Sequence, residues 1–178
     1  MITLAPFQRL DYKSGLVMPW FTHGALDDLT ERDFTGKVVL EWGGGYSTKW
    51  WASRADTVYT IEHVGDNPEW WTQLQVYAAE ASNIHLLQRG DADYTFVPSF
   101  LRPDIVIVDG CYRTECIREA LRLIRPLTLI VDNWQQPGVY TDEAAAELLS
   151  PFDGRIYAQE GYAVPTHMPW QTGIWEIR

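Results

Sequence analysis

From residue 37 onward, short apolar runs rich in β-branched residues alternate with stretches patterned for helices, and that alternation admits few folds. Strands are expected at 37–42, 57–62, 84–88, 105–109, 127–132, 155–159 and 172–177, and helices at 47–53, 68–81, 113–124 and 142–149. Parallel strands need a crossover of helix length between them, and most of these intervals supply one. The expected class is therefore α/β, a doubly wound, mostly parallel sheet with helices on both faces. Prolines 68, 103, 126, 137, 151 and 165 punctuate the elements. A chain of 178 residues suits a single globular domain. Within it, residues 1–36 read as an N-terminal cap, with a capped helix entry at Pro19-Trp20-Phe21-Thr22-His23, and residues 37–178 as the ligand-binding body.

In an open parallel sheet the ligand lies outside the carboxyl ends of the strands. Those ends are polar here: Glu41, Glu62, Asp109 and Asp132-Asn133. The first strand runs into Glu41-Trp42-Gly43-Gly44-Gly45-Tyr46-Ser47-Thr48. Glycines let the chain reverse sharply and let a ligand lie on bare backbone, while Ser47 or Thr48 can cap the next helix. Glu62 follows at about 20 residues, the interval at which such units hold a ribose diol, so the two sites predict a bound nucleoside. A dinucleotide fingerprint wants glycine at its first, third and sixth positions, which here are Gly43, Gly45 and Thr48. The missing third glycine and the carboxylate of Glu41 beside the turn disfavour a pyrophosphate. A cationic or zwitterionic ligand suits the turn better.

At these residues the chain resembles the class I methyltransferases that use S-adenosylmethionine, whose first motif is an acidic residue followed by a glycine-rich turn. More narrowly it resembles a group of small bacterial methyltransferases, through Glu41-Trp42-Gly43, Ser47-Thr48, Ile61-Glu62-His63 and Pro68-Glu69-Trp70. The resemblance runs from Pro19 to the C-terminus. It implies a Rossmann-like sheet of seven strands with the last antiparallel beside the sixth, and an N-terminal segment that covers the ligand. It implies S-adenosyl-L-methionine as cofactor, with Gly43, Gly44 and Gly45 beneath its methionine moiety. Glu41 and Ser47 would then shape the turn, with Glu41 meeting the ligand ammonium through water. Glu62, with His63 beside it, would accept the ribose hydroxyls. Asp91 and Ala92 would meet the adenine, although Gly90-Asp91 also suits a simple reversal, and Asp109 would complete the cofactor set.

Asp109, Asp132 and Asn133 converge at neighbouring strand ends as hard oxygen donors suited to a divalent cation such as magnesium. The triplet is similar to the metal ligands of cation-dependent O-methyltransferases of the catechol and caffeoyl-coenzyme A type, whose metal gathers a diol and acidifies a hydroxyl. The lysine those enzymes carry beyond the first ligand is absent here, replaced by Cys111-Tyr112-Arg113. The alternative is that Asp109 positions substrate while Asp132-Asn133 caps its strand. Asp109 and His23 are the candidate catalytic proton acceptors. His167, in the loop before the last strand, together with Tyr112, Trp134 and Trp170, is a candidate lining for the acceptor pocket, with ordinary core packing the competing role of the three aromatics.

The net charge of −10 works against nucleic acid as partner. Arg113, Arg118, Arg122 and Arg125 share an expected helix with Glu115 and Glu119 and read as a solvated face. Cys111 and Cys116 lack redox or zinc spacing and are expected as reduced thiols. No run reaches bilayer length and no leader pattern stands at the start, so a cytoplasmic enzyme without membrane contact is expected. Nine tryptophans are many for this length. Trp50-Trp51 and Trp70-Trp71 cannot each turn both rings into one core from one helix, so one of each pair is expected at an edge, a pocket or a subunit contact. The expected activity is methyl transfer to an oxygen, or less readily a nitrogen, of a small molecule, with a polyhydroxylated acceptor first in line. The competing readings are a protein that binds S-adenosylmethionine or another adenosine ligand without turnover, and a nucleic-acid methyltransferase. The latter should carry an Asp-Pro-Pro-Tyr type motif where Asp109-Gly110-Cys111-Tyr112 stands. The partner is expected to be the small acceptor, with homo-oligomerisation open.

Overall fold

The computed structural model describes residues 9–63, 65, 68–123, 127–134, 143–159 and 170–178. Along the chain lie α1 (His23–Glu31), β1 (Val38–Trp42), α2 (Tyr46–Ala52), β2 (Thr57–His63), α3 (Pro68–Glu80), β3 (Ile84–Arg89), β4 (Ile105–Val108), α4 (Arg113–Ala120), β5 (Leu127–Asp132), α5 (Glu143–Leu149), β6 (Asp153–Gln159) and β7 (Trp170–Ile177). The seven strands form one sheet in the order β3-β2-β1-β4-β5-β7-β6. β1 pairs in parallel with β2 and β4, β2 with β3 and β4 with β5, while β7 runs antiparallel between β5 and β6. The mostly parallel sheet read from the sequence, with the antiparallel last strand beside the sixth that the resemblance implies, is observed.

Strand alternation divides the core in two. Leu40, Trp42, Val106, Val108, Leu129 and Val131 face α4 and α5. Val39, Val58, Ile105, Ile107, Ile130 and Ile174 face α1, α2 and the preceding Met18 and Phe21. Covered on both sides, β4 is buried at every position, which is why it reads as an unbroken Ile-Val-Ile-Val run. β6 is instead the sheet edge, and its exposed Asp153, Gly154 and Arg155 are the residues that tolerate such a place.

Two differences from the sequence reading have physical causes. β6 and β7 each begin two residues earlier than expected, because their antiparallel ladder runs from Asp153↔Glu176 to Gln159↔Trp170 and cross-strand pairing overrides local polarity. Trp50 and Trp51 are both fully buried, contrary to the expectation that one would stand at an edge. α2 lies between the sheet and the N-terminal segment, so it has two inward directions. The rings meet edge to face at 4.6 Å, Trp51 reaches Phe34 at 5.1 Å, and Trp50 Nε1 donates to buried Asp11 at 3.2 Å. Cys111 and Cys116 are free thiols, the second buried.

Candidate active site

The end of β1 is built around a carboxyl group with no access to solvent. Glu41 Oε1 accepts the Ser47 hydroxyl, and Oε2 accepts those of Thr48 at 2.6 Å and Thr60 at 3.1 Å. Burial pushes its pKa up to about 7, against the pull of those three hydroxyls. Glu41 and Ser47 therefore shape the turn from beneath. The expected approach of Glu41 to a ligand ammonium is corrected, since its oxygens are engaged inside the fold. Thr48 also accepts the Gly45 N–H at 3.0 Å while its own N–H returns to the Gly45 carbonyl at 3.1 Å, a reciprocal cap that starts α2.

The glycines above this carboxyl are required by contact. Gly43 has φ +89°, and a Cβ there would lie 2.6 Å from the Gly110 backbone nitrogen. The turns leaving β1 and β4 thus touch glycine to glycine, and Gly110 is a partner the sequence reading missed. A Cβ on Gly44 would strike Thr60 at 2.6 Å. The Gly44 N–H donates to Glu62 Oε2 at 2.7 Å, the His63 N–H donates to Glu62 Oε1 at 3.0 Å, and Trp70 Nε1 donates to the Gly44 carbonyl at 3.1 Å. Glu62 is half-buried and its pKa is raised by desolvation. Trp70 of the Pro68-Glu69-Trp70 motif is thereby a clamp on the turn.

Asp91 sits after β3, its Oδ1 accepting the Tyr112 hydroxyl at 2.6 Å and lying 2.7 Å from His63 Nε2. Its carboxyl is held below its usual range, first by Tyr112 and then by His63. Fully buried Tyr94 closes the floor beneath His63 and Tyr112, with ring centroids 5.6 and 6.0 Å away. The expected cofactor residues Glu62, His63 and Asp91 are therefore contiguous, with Ala92 exposed in the adjoining turn.

The ends of β4 and β5 are joined by Arg113, whose side chain is 4% exposed. Nε donates to the Gly110 carbonyl at 2.9 Å. Nη1 donates to the Asp132 carbonyl and to Asn133 Oδ1 at 3.2 Å, and Nη2 to the Asp109 carbonyl at 2.8 Å and Asp109 Oδ1 at 3.1 Å. All five guanidinium donors are used. The reading of Arg113 as part of a solvated face is corrected. Arg118 and Arg122 do stand outside, with Glu115 at 3.9 Å and Glu119 respectively, while Arg125 lies outside the described residues.

The expected metal triplet of Asp109, Asp132 and Asn133 is brought to neighbouring strand ends, with part of its oxygens engaged by protein donors. The Asp132 carboxylate accepts from Thr172 Oγ1 at 2.6 Å and from Trp170 Nε1 at 3.2 Å. Arg113 links Asp109 Oδ1 and Asn133 Oδ1 through its two terminal nitrogens. Among the described residues no group of three His, Cys, Asp or Glu side chains is placed to hold a metal ion, and with Arg113 on Asp109 Oδ1 and Asn133 Oδ1 the donor set as it stands does not fit one. Burial and the Asp109 charge push Asp132 well above the usual carboxylate range; burial raises Asp109 too, against the opposing Arg113 charge.

His23 opens α1 at the same edge of the sheet, its N–H on Gln159 Oε1 at 2.7 Å, while the adjacent Thr22 N–H donates to Thr172 Oγ1 at 2.9 Å. The N-terminal helix is thus tied to the ends of β6 and β7. Trp170 belongs to the core, Trp134 packs on Trp175 at 4.8 Å, and Tyr112 is exposed. His167 lies outside the described residues.

This sheet and its flanking helices are shared with solved methyltransferase structures. The chain has the methyltransferase fold. It is similar to an O-methyltransferase from Bacillus cereus in complex with SAH, at TM-score 0.61 and 16% identity, over 80% of this chain and 74% of that one. It is also similar to an rRNA methylase from Streptococcus thermophilus (0.57, 17%, 88% and 96%). A third is the precorrin-6y C5,15-methyltransferase from Geobacter metallireducens (0.57, 14%, 97% and 100%). No family model and no curated protein matches the sequence, so the likeness is one of fold. No helix among the described residues is long and apolar enough to cross a membrane.

Proposed function

We propose that the chain is an enzyme that transfers a methyl group from S-adenosylmethionine to an oxygen of a small-molecule acceptor. The observation that carries this reading is the Gly44–Glu62 junction. A bare turn lies beside a half-buried carboxylate whose oxygens are oriented by two backbone N–H groups. That is a receptor for a ribose diol next to a surface on which an amino-acid moiety can lie. In this reading Asp91, with His63 and Tyr112 hydrogen-bonded to it, meets the adenine.

The cofactor's sulfonium supplies an activated methyl, so the protein's part is alignment and proton removal. Asp109 is partly exposed while Asp132 is buried, which makes Asp109 the carboxylate nearer an acceptor's reach. In this reading Asp109 takes the acceptor hydroxyl proton. The oxygen lone pair forms the new bond to the methyl carbon, and the carbon–sulfur electron pair leaves on sulfur as S-adenosylhomocysteine. His23 is the second candidate for that proton, from the side of the N-terminal helix. A net charge of −10 favours a small acceptor over a nucleic acid.

Calorimetric titration with S-adenosylhomocysteine tests the proposal. Wild-type protein is expected to bind in the micromolar range, and Glu62→Ala to lose about 30- to 100-fold, the worth of hydrogen bonds to a charged acceptor. Failure of the wild type to bind removes the reading. Binding without methyl transfer across hydroxylated acceptors favours a binding protein.

A further inference from the structure

The guanidinium of Arg113 lies among the oxygens expected to take a metal. It comes from the first residue of α4, where the helix's own positive end disfavours a cation. Such a placement persists only if other groups compensate, and here they are the Asp109 carboxylate, the Asn133 amide oxygen and three strand-end carbonyls. Two of the residues around it, Tyr112 at φ 49° and Asn133 at φ 50°, hold left-handed backbone uncommon for side-chain-bearing residues. With every donor spent on the protein, the group fixes oxygens and has none left to gather an acceptor's diol.

We infer that Arg113 is the resident cation of this site: its guanidinium stands in the place of a divalent metal between β4 and β5, and positions Asp109 and Asn133 without any bound ion. An acceptor then needs a single nucleophilic oxygen, and chelating hydroxyl pairs confer no advantage. This assignment concerns the acceptor side and rests on the methyl-transfer reading only for the meaning of "acceptor". The cation replacement itself is a property of the fold.

The deciding experiment follows Mn²⁺ uptake by electron paramagnetic resonance in the full chain, as wild type, Arg113→Gln, Arg113→Lys and the double variant Arg113→Gln/Asp109→Asn. Folding is checked by circular dichroism, and S-adenosylhomocysteine titration runs in parallel. Wild type and Arg113→Lys are expected to take up no stoichiometric Mn²⁺. Arg113→Gln, which keeps amide donors but loses the charge, should gain one equivalent with a Kd of about 100 µM or tighter, lost again in the double variant. One equivalent bound by wild type overturns the proposal, as does a folded Arg113→Gln that binds none. If Arg113→Gln does not fold, Arg113→Lys decides: Mn²⁺ uptake by the folded lysine variant overturns the proposal and its absence supports it. Loss of S-adenosylhomocysteine binding in the wild type would sink the methyl-transfer reading while leaving the metal result to judge Arg113.

Discussion

The two halves of the carboxyl edge solve the same problem in opposite ways. At β1–β2, buried Glu41 is held by three neutral hydroxyls, and Glu62 by two backbone N–H groups. At β4–β5, Asp109 and its surroundings are held by a full positive charge, with Asp132 satisfied separately by Trp170 and Thr172. Neutral donors leave the first half without a fixed counter-charge, which suits a ligand that carries its own. The second half contains its cation, and it depends on that cation for stability. Breaking a buried charge pair by removing one partner costs more than breaking a neutral hydrogen bond.

That contrast sets the order of expected effects. Arg113→Met should be the most damaging, at about 3–5 kcal/mol in urea unfolding, because it strands Asp109 beside buried Asp132. A loss below about 1 kcal/mol would mean the second half does not depend on its charge. Gly43→Ala should follow at about 3 kcal/mol, combining left-handed strain with a Cβ driven into Gly110, and it strikes both halves at once. Cofactor binding should vanish with it.

The third prediction concerns pH. Burial raises the native value of Glu41 to about 7 from 4.5, so the native state holds this proton more tightly than the unfolded chain. Its contribution is complete below about pH 4.5 and is lost as pH climbs through about 7, a decline of no more than about 3 kcal/mol. Glu41→Gln should flatten the fall in unfolding free energy measured between pH 5 and 8. Asp132, raised as well, leaves a residual slope. An unchanged slope would place the titration elsewhere. Thr48→Val should cost least, about 2 kcal/mol, since it removes a neutral donor to Glu41 and the acceptor for the Gly45 N–H while keeping the shape.

The first half was legible because its partners are close in sequence. Glu41, Ser47 and Thr48 fall within one turn, and a strand-turn-helix unit imposes its residue types locally. Trp70, at 26 residues from Gly44, was visible as a motif but not as a clamp. The second half was misread. Arg113 was grouped with Arg118 and Arg122 by helical spacing, although its place at the helix start, where a cation is disfavoured, was a signal that it had a partner. The hard-oxygen donors Asp109, Asp132 and Asn133 suggest a metal, because a sequence lists donors without saying what lies between them.

The sequence by itself determined the α/β alternation, the polar strand ends and the glycine turn, since each follows from period, propensity and backbone sterics over a few residues. Only the tertiary structure decided that both Trp50 and Trp51 are buried, that Gly43 needs Gly110 and that a guanidinium sits where a cation was expected. Those outcomes depend on which side chain reaches a shared space first, and in a folded chain that is settled by packing across strands whose residues are distant in sequence.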